Sequence, residues 1–589
     1  MSLEALVERL LERRNPSGHW EGRLSSSALS TATAVVALTA AGEREFVSRG
    51  VTWLVEHQNT DGGWGDTVLS RSNISTTALC WAALSFADSL DAHVSVALDR
   101  AASWLRAAAG DTTPAALSAA ILRRYGKDKT FSVPILTVLA ITGRLGSDAR
   151  AAWRMVPQLP FELAAVPHHW FQYLQLPVVS YALPALIAIG QARHHFAPSR
   201  NLPMRALRQT LRERTHTLLR AMQPASGGYL EATPLTSFVV MSLAAIGRHD
   251  SPVVRHGVRF LQASMRDEGS WPIDTHLATW VTTLAVRALA SAGRIGRIDV
   301  GAVREWLLAQ QTAHEHPFTH AAPGAWAWTP LSGGVPDADD TAGALVALGR
   351  LDASDQRSQD AAQNGVTWLL DVQNRDGGVP TFCRGWGALP FDRSTPEITA
   401  HAIQAWSEWD TQVDPALRRR IAGATRRAVA YLERTQRADG TWVPLWFGNE
   451  YAAGEENPLY GTARVLIGLS SFASATAFRR RGLAWLLAAQ NADGGWGGDR
   501  GVPSSIEETG IALAAICSCA EDGEATTIEA SVSRAAQWLN DAMRRNHVLA
   551  APIGLYFAKL WYYEELYPLI FAISGLAAYR GSRIANIVD

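Results

Sequence analysis

The sequence predicts an all-α protein built as two α/α barrels, each a toroid of inner helices wrapped by outer ones. Three observations predict it. A motif of aromatic-Leu, three residues, Gln, three residues, Gly, one residue and Trp recurs along the chain. Between the copies lie Ala/Leu-rich segments at helical period, such as "TATAVVALTAAG", "TTALCWAALSFA" and "TTLAVRALASAG", and strand signals are almost absent. At 589 residues the chain is also too long for one ordinary core.

Taken in order, the opening "MSLEALVERLLERRNPSGHW" is a charged amphipathic helix with a crude copy of the motif at its end, and it lacks the apolar run of a signal peptide. Full copies follow at "WLVEHQNTDGGW" (Trp53, Gln58, Gly62, Trp64), "YLERTQRADGTW" (Tyr431, Gln436, Gly440, Trp442) and "WLLAAQNADGGW" (Trp485, Gln490, Gly494, Trp496). Worn copies end on Tyr229 and Val379, replace Gln with Met265, or run from Trp306 and Gln311 into an insertion. The pattern is structural: the aromatic-Leu pair buries a helix end, Asp-Gly-Gly supplies the positive-φ turn, and Gln with Trp ties that turn to the next helix. The rhythm divides the chain into barrels at about 16–274 and 275–589, with helix 1–15 packed on the second. The segment 201–223, with Pro203 and several arginines, breaks the rhythm and reads as a solvated or an interfacial helix.

Composition narrows the function. With 54 basic against 55 acidic residues the net charge is −1, which offers no footprint for nucleic acid. Nearly all the positive charge is arginine; Lys127, Lys129 and Lys559 are the only lysines, a skew that codon usage explains. The four cysteines, Cys80, Cys383, Cys517 and Cys519, fit neither a disulfide framework nor a zinc spacing. The longest apolar stretch, 176–190, is too short to span a bilayer, so a cytoplasmic protein is expected.

Chemistry concentrates in "VPDADDTAGAL" (335–345), where Asp337, Asp339 and Asp340 precede an apolar helix. By itself the cluster suits a helix cap or a calcium loop. The Trp and Gln repeat, however, resembles that of the squalene-hopene and oxidosqualene cyclases, and "PDADDTA" is similar to that family's D-x-D-D-T-A signature. Supporting segments are "PGAWAWTPLSGGVPDADDTAGALVAL" (323–348), "PEITAHAIQAW" (396–406) and "NPLYGTA" (457–463), which are similar to the family's segments around the catalytic acid, its histidine partner and a nearby tyrosine. The resemblance implies a class II terpene cyclase that needs no metal or organic cofactor. It assigns the proton to Asp339, with Asp337 and Asp340 beside it, His401 as its partner and Tyr460 as a reprotonation aid.

The residue types support that chemistry. Protonating an alkene requires a strong acid in a dry site, and crowding three carboxylates keeps one of them neutral, here expected to be Asp339. His401 suits the cation that raises its readiness to donate, and Glu397, one turn earlier, suits the residue that orients His401. Aromatic faces stabilise the resulting cation without offering a base. The resemblance places Trp280, Trp328 and Phe382 on the cavity wall, and Tyr556, Phe557 and Tyr563 in a C-terminal aromatic segment.

At the far end the family's glutamates have no counterpart in "SALSTATAVVAL" (27–38) or "RSNISTTALCWAAL" (71–84), its arginine segment reads "TFSVPILTVLA" (130–140), and a wall tryptophan is replaced near Val178. Squalene is the first-choice substrate. A prenyl diphosphate is the runner-up; it would favour a basic or Mg²⁺-bearing mouth, for which no clear motif is visible. A class I synthase would need a D-D-x-x-D magnesium site, and Asp339-Asp340 is followed by Thr-Ala-Gly. A lipid-carrying toroid that has lost catalysis and a prenyltransferase-like subunit with a zinc site at Cys383 and His401 complete the alternatives. The expected partners are a polyprene and the inner face of a membrane, contacted peripherally, with a second copy of the chain as a further candidate.

Overall fold

The structure, a computed structural model, describes residues 2–582 apart from 88–90, 175, 177–181, 318, 383–389, 471, 473–475, 520–524, 546–549, 553 and 555–558. Six helices form the ring of the C-terminal barrel: Ala278–Ser291, Ala338–Asp352, Pro396–Trp409, Pro458–Gly468, Ile506–Cys519 and Tyr567–Gly581. Each packs on the next, and the last returns to the first. Five helices, Ala28–Ala41, Ile74–Phe86, Lys129–Ile141, Leu183–Phe196 and Thr233–Ala245, close a second ring in the N-terminal half. These inner helices are apolar almost all round, as Ala28–Leu38 and Ala78–Leu84 illustrate, because neighbours cover every face. The outer helices carry one apolar stripe, and Pro252–Ser264 buries Val253, Val254, Val258 and Leu261 while its other face is solvated.

The repeated motif makes the same amide joint wherever its glutamine is present, which Met265 forgoes. Its glutamine donates from Nε2 to the carbonyl of the turn glycine and to a carbonyl near the start of the next outer helix. Gln58 thus reaches Gly62 and Ala97, Gln436 reaches Gly440 and Phe478, and Gln490 reaches Gly494 and Ser531, all at 2.8–2.9 Å. The closing tryptophan donates its indole N–H back to the leucine carbonyl of the preceding helix, as Trp64 does to Leu54 and Trp496 to Leu486. Worn copies keep the joint: Tyr229 donates to Leu219, and Trp326, carried past the insertion, reaches Leu307 at 2.8 Å. Gly440 shows why the turn requires glycine, since its φ is +96° and a Cβ would lie 2.7 Å from the Arg481 carbonyl oxygen.

The first helix, Leu3–Glu12, packs on Tyr567–Gly581, and Glu4 and Glu8 pair with Arg294 and Arg297. Trp20 also belongs to the C-terminal core, whereas Leu24 belongs to the N-terminal one, so the chain crosses over between them. Ser26–Ser27 then pairs antiparallel with Trp271–Pro272, and Leu24 bridges to Glu564. Residues 201–223 are an outer helix of the N-terminal barrel, anchored by the Arg208–Glu162 ion pair, with Leu202 and Leu207 exposed. Among the described residues no helix is long and apolar enough to cross a membrane.

Candidate active site

Both halves of the chain contribute to one cavity of about 1210 Å³, and Asp337, Asp339 and Asp340 face it. The three carboxylates do different work. Asp337 is the N-cap of helix Ala338–Asp352, its Oδ1 accepting from the backbone N–H groups of Asp339 and Asp340 at 2.9 Å each. Asp340 is hydrogen-bonded to the Asp337 carboxyl; burial, together with that neighbouring carboxylate, pushes Asp340 well up, and burial pushes Asp337 to about 7. These two carboxyls share the proton.

Asp339 is turned away from the pair. Its Oδ1 lies 2.5 Å from His401 Nδ1 and 3.9 Å from the Arg464 guanidinium. His401 Nε2 lies 2.9 Å from Arg287 Nη1. A guanidinium only donates, so Nε2 carries the lone pair and Nδ1 carries the hydrogen that goes to Asp339. Burial, then the charges of Arg464 and Arg287, press His401 down to about 3. Burial pushes Asp339 up, but the bond from His401, backed by Arg464 and Arg287, outweighs it and holds the carboxyl below the usual range.

Three expectations are thereby corrected. Burial raises Asp337, and burial together with the neighbouring Asp337 carboxylate raises Asp340, whereas Asp339, which faces His401, is the one that is lowered. His401 is a neutral relay and not the cation; the fixed charges are Arg287 and Arg464 behind it. Glu397 does not orient His401 either: its Oε1 accepts from the Leu445 N–H at 2.6 Å, so it holds the 443–447 loop, and burial raises its carboxyl to about 7. Arg287 and Arg464 escaped the sequence reading, although each is a lone charge in an apolar inner helix, in "TTLAVRALA" and "YGTARVLIG".

Aromatic rings line the cavity beyond the acid. Trp280, Trp328 and Phe382 face it as expected. The Trp280 ring meets His401 edge-on at 6.3 Å, and its N–H donates to Tyr567 Oη at 2.9 Å. Phe391, Trp446 and Phe447 complete the wall, with Phe382 5.4 Å from Phe391 and 6.1 Å from Trp446. These three lie outside the segments that carry the resemblance, Phe391 in a short turn and Trp446 and Phe447 in a loop, which hid them. Tyr460 is buried behind Phe447, the two rings stacked at 4.3 Å, and burial keeps its phenol neutral.

Tyr563 is displaced from its expected place. Around it the chain is extended, its backbone N–H donates to Ser25 Oγ, and Tyr562 is the residue that faces the cavity. Tyr556, Phe557, Cys383 and Val178 lie outside the described residues. Residues 27–38 and 71–84 contribute nothing to the lining; the N-terminal wall is made by Phe131, Pro134, Leu186 and Phe238 instead. Asp274, half-buried with a buried, unpartnered Oδ1 and a carboxyl pushed well up by desolvation, also faces the cavity and was not anticipated.

Comparison with known proteins agrees with this architecture. The squalene-hopene cyclase N-terminal domain family matches residues 3–189, and the squalene-hopene cyclase C-terminal domain family matches 277–504. Enfumafungin synthase of Hormonema carpetanum is 26% identical over 84% of this chain and 42% of that protein, so the chain spans less than half of that relative. A probable squalene-hopene cyclase of Sinorhizobium fredii is 23% identical over 100% of this chain and 97% of that one. The solved ent-copalyl diphosphate synthase from Streptomyces platensis shares the fold, with 19% identity, a TM-score of 0.61 and 98% of each chain covered. The two domain matches, which together cover more than half of the chain and most of the helices of each ring, make the chain a member of the squalene-hopene cyclase family of class II terpene cyclases.

Proposed function

We propose that the protein cyclises a linear polyprene by protonating its terminal trisubstituted alkene from Asp339. The observation that carries the proposal is the Asp339–His401–Arg287 line facing an aromatic-walled cavity. An acid able to protonate an alkene must have a poor hold on its proton, and the bond from His401 lowers that hold by stabilising the carboxylate left behind. Reloaded from the raised Asp337–Asp340 pair beside it, Asp339 passes its proton to the less substituted alkene carbon, leaving a tertiary cation and the Asp339 carboxylate. Successive alkenes of the prefolded chain then attack it, each closing a ring and passing the charge onward, until a proton is lost or water adds. Trp280, Trp328, Phe382 and Trp446 offer ring faces to the travelling charge.

The same line disfavours a zinc-dependent prenyltransferase-like subunit, since both nitrogens of His401 are committed to Asp339 and Arg287. A merely lipid-carrying toroid has no use for a tautomer-fixed histidine on a buried acid. Peripheral membrane contact fits the exposed Trp170, Tyr173, Leu174 and Leu202. Protein remaining wholly soluble after lysis without detergent would count against it.

The test offers purified protein in detergent squalene, a C35 polyprene and geranylgeranyl diphosphate, with products read by mass spectrometry beside Asp339→Asn. Cyclic product from the parent and none from the variant is expected. Equal product from both would remove Asp339 from the mechanism, and no product from any substrate would favour the carrier.

A further inference from the structure

The cavity has a second end. All three lysines of the chain, Lys127, Lys129 and Lys559, line it, together with Arg393 and Arg437. Lys127, Lys129 and Arg393 are exposed, whereas the carboxyls of the acid cluster are buried, so the cations form the rim and the acid lies within. The carboxylates of the lining at this rim are Asp128 and Glu456. Asp128 is occupied in capping helix Lys129–Ile141, where it accepts from the Thr130 N–H, and Glu456 is held by Arg437 at 2.6 and 2.8 Å. Ion pairs bring the distant segments together: Lys559 and Arg124 share Glu455 at 3.1 and 3.0 Å, and Arg124 lies three residues before Lys127. Lys127, Lys129 and Arg393 make no ion pair among the described residues. In a chain of net charge −1, this rim is a local excess of positive charge.

We propose that the rim binds the diphosphate of a prenyl diphosphate, so that the substrate lies with its terminal alkene at Asp339 and its charged head at Lys127, Lys129, Lys559 and Arg393. The inference rests on the cyclase reading above and names its substrate class. A pure hydrocarbon has nothing to offer Lys127, Lys129 and Arg393, whereas an amphiphile with an alkene at one end and an anion at the other matches the cavity end to end. The N-terminus of helix Lys129–Ile141, whose first residues also line the rim, adds its partial positive charge. The C–O–P bond stays intact: one proton enters the alkene from Asp339, one leaves the final cation, and the product is a cyclic prenyl diphosphate.

The experiment measures kcat/KM of the full-length protein for squalene, farnesyl diphosphate and geranylgeranyl diphosphate, and then inhibition by inorganic pyrophosphate. The expected result is turnover of at least one diphosphate in preference to squalene, with competitive inhibition by pyrophosphate. Lys127→Glu/Lys129→Glu, at exposed positions, should lower the preference for diphosphate over squalene at least tenfold and weaken pyrophosphate inhibition as much, with an unchanged melting temperature; Arg393→Glu is the second variant should the first fail to fold. Cyclisation of squalene with neither diphosphate accepted overturns this inference and leaves the cyclase reading standing. No turnover of any of the three overturns this inference, and no turnover of the C35 polyprene as well overturns both. A variant that keeps its diphosphate kinetics but no longer binds phosphatidylglycerol vesicles also overturns it, because the rim would then be a membrane contact.

Discussion

His401 Nδ1 stands 2.5 Å from Asp339 Oδ1, and the direction of that bond is fixed from the far side of the ring by Arg287. A guanidinium that cannot accept forces the histidine to present its only proton to the acid. The Asp339 carboxyl is thus hydrogen-bonded by a neutral donor with buried charge behind it.

Arg287→Met removes the donor on Nε2, leaving His401 free to take the other tautomer or a second proton. A fall in kcat of about a hundredfold is expected, with partial recovery in Arg287→Gln, which restores an N–H. An NMR titration of the His401 ring should show its pKa rising from about 3 towards the ordinary histidine value in the Met variant. An unmoved pKa would remove Arg287 from the relay.

Trp280 presents its ring between His401 and the cavity. Replacing it by alanine removes a face from the travelling cation, and kcat should drop about tenfold while partly cyclised products increase. Product analysis by gas chromatography checks both; an unaltered product ratio would leave Trp280 as packing only.

The buried carboxyls should make stability fall as the pH rises from about 4 towards 8. Burial raises Asp337 and Glu397 to about 7 and Glu450, Glu507 and Glu564 to about 8. From about pH 4 upward the unfolded chain has released these protons while the folded chain still holds them, so each unit of pH weakens folding until the folded pKa is passed. His401 and His168, pressed by burial to about 3 and 4, act oppositely, but only below their unfolded value of about 6.5. The melting temperature should therefore drop between pH 6.5 and 8.5, and Glu450→Gln should flatten part of that slope.

Gln490 fastens one turn to two carbonyls, those of Gly494 and Ser531. Gln490→Met leaves both without their donor and should cost about 1–3 kcal/mol. Urea denaturation would measure it, and a loss within error of zero would mean that the joint does not bear on stability.

The fold was legible because the repeated joint is local. A helix end, a glycine turn and an indole returning to a carbonyl ten residues back are all specified within one short segment, and their recurrence announces helix pairs. Asp339, His401, Trp280, Trp328 and Phe382 were legible for a related reason: each stands in a segment that resembles a known one. The tyrosine register was not, since in an extended stretch a shift of one residue exchanges the inward and outward faces, and only pairing with Ser25 settles it.

What the sequence by itself determined, then, is the helical architecture and the family to which it points. Tertiary structure decided which carboxyl keeps its proton, because pKa depends on partners brought from other helices, and it placed Arg287 and Arg464 behind His401. It also decided that Lys127, Lys129 and Lys559, far apart in the chain and unremarked in its composition, stand around one opening. Proximity in space, which no spacing along the chain encodes, is the physical reason in each case.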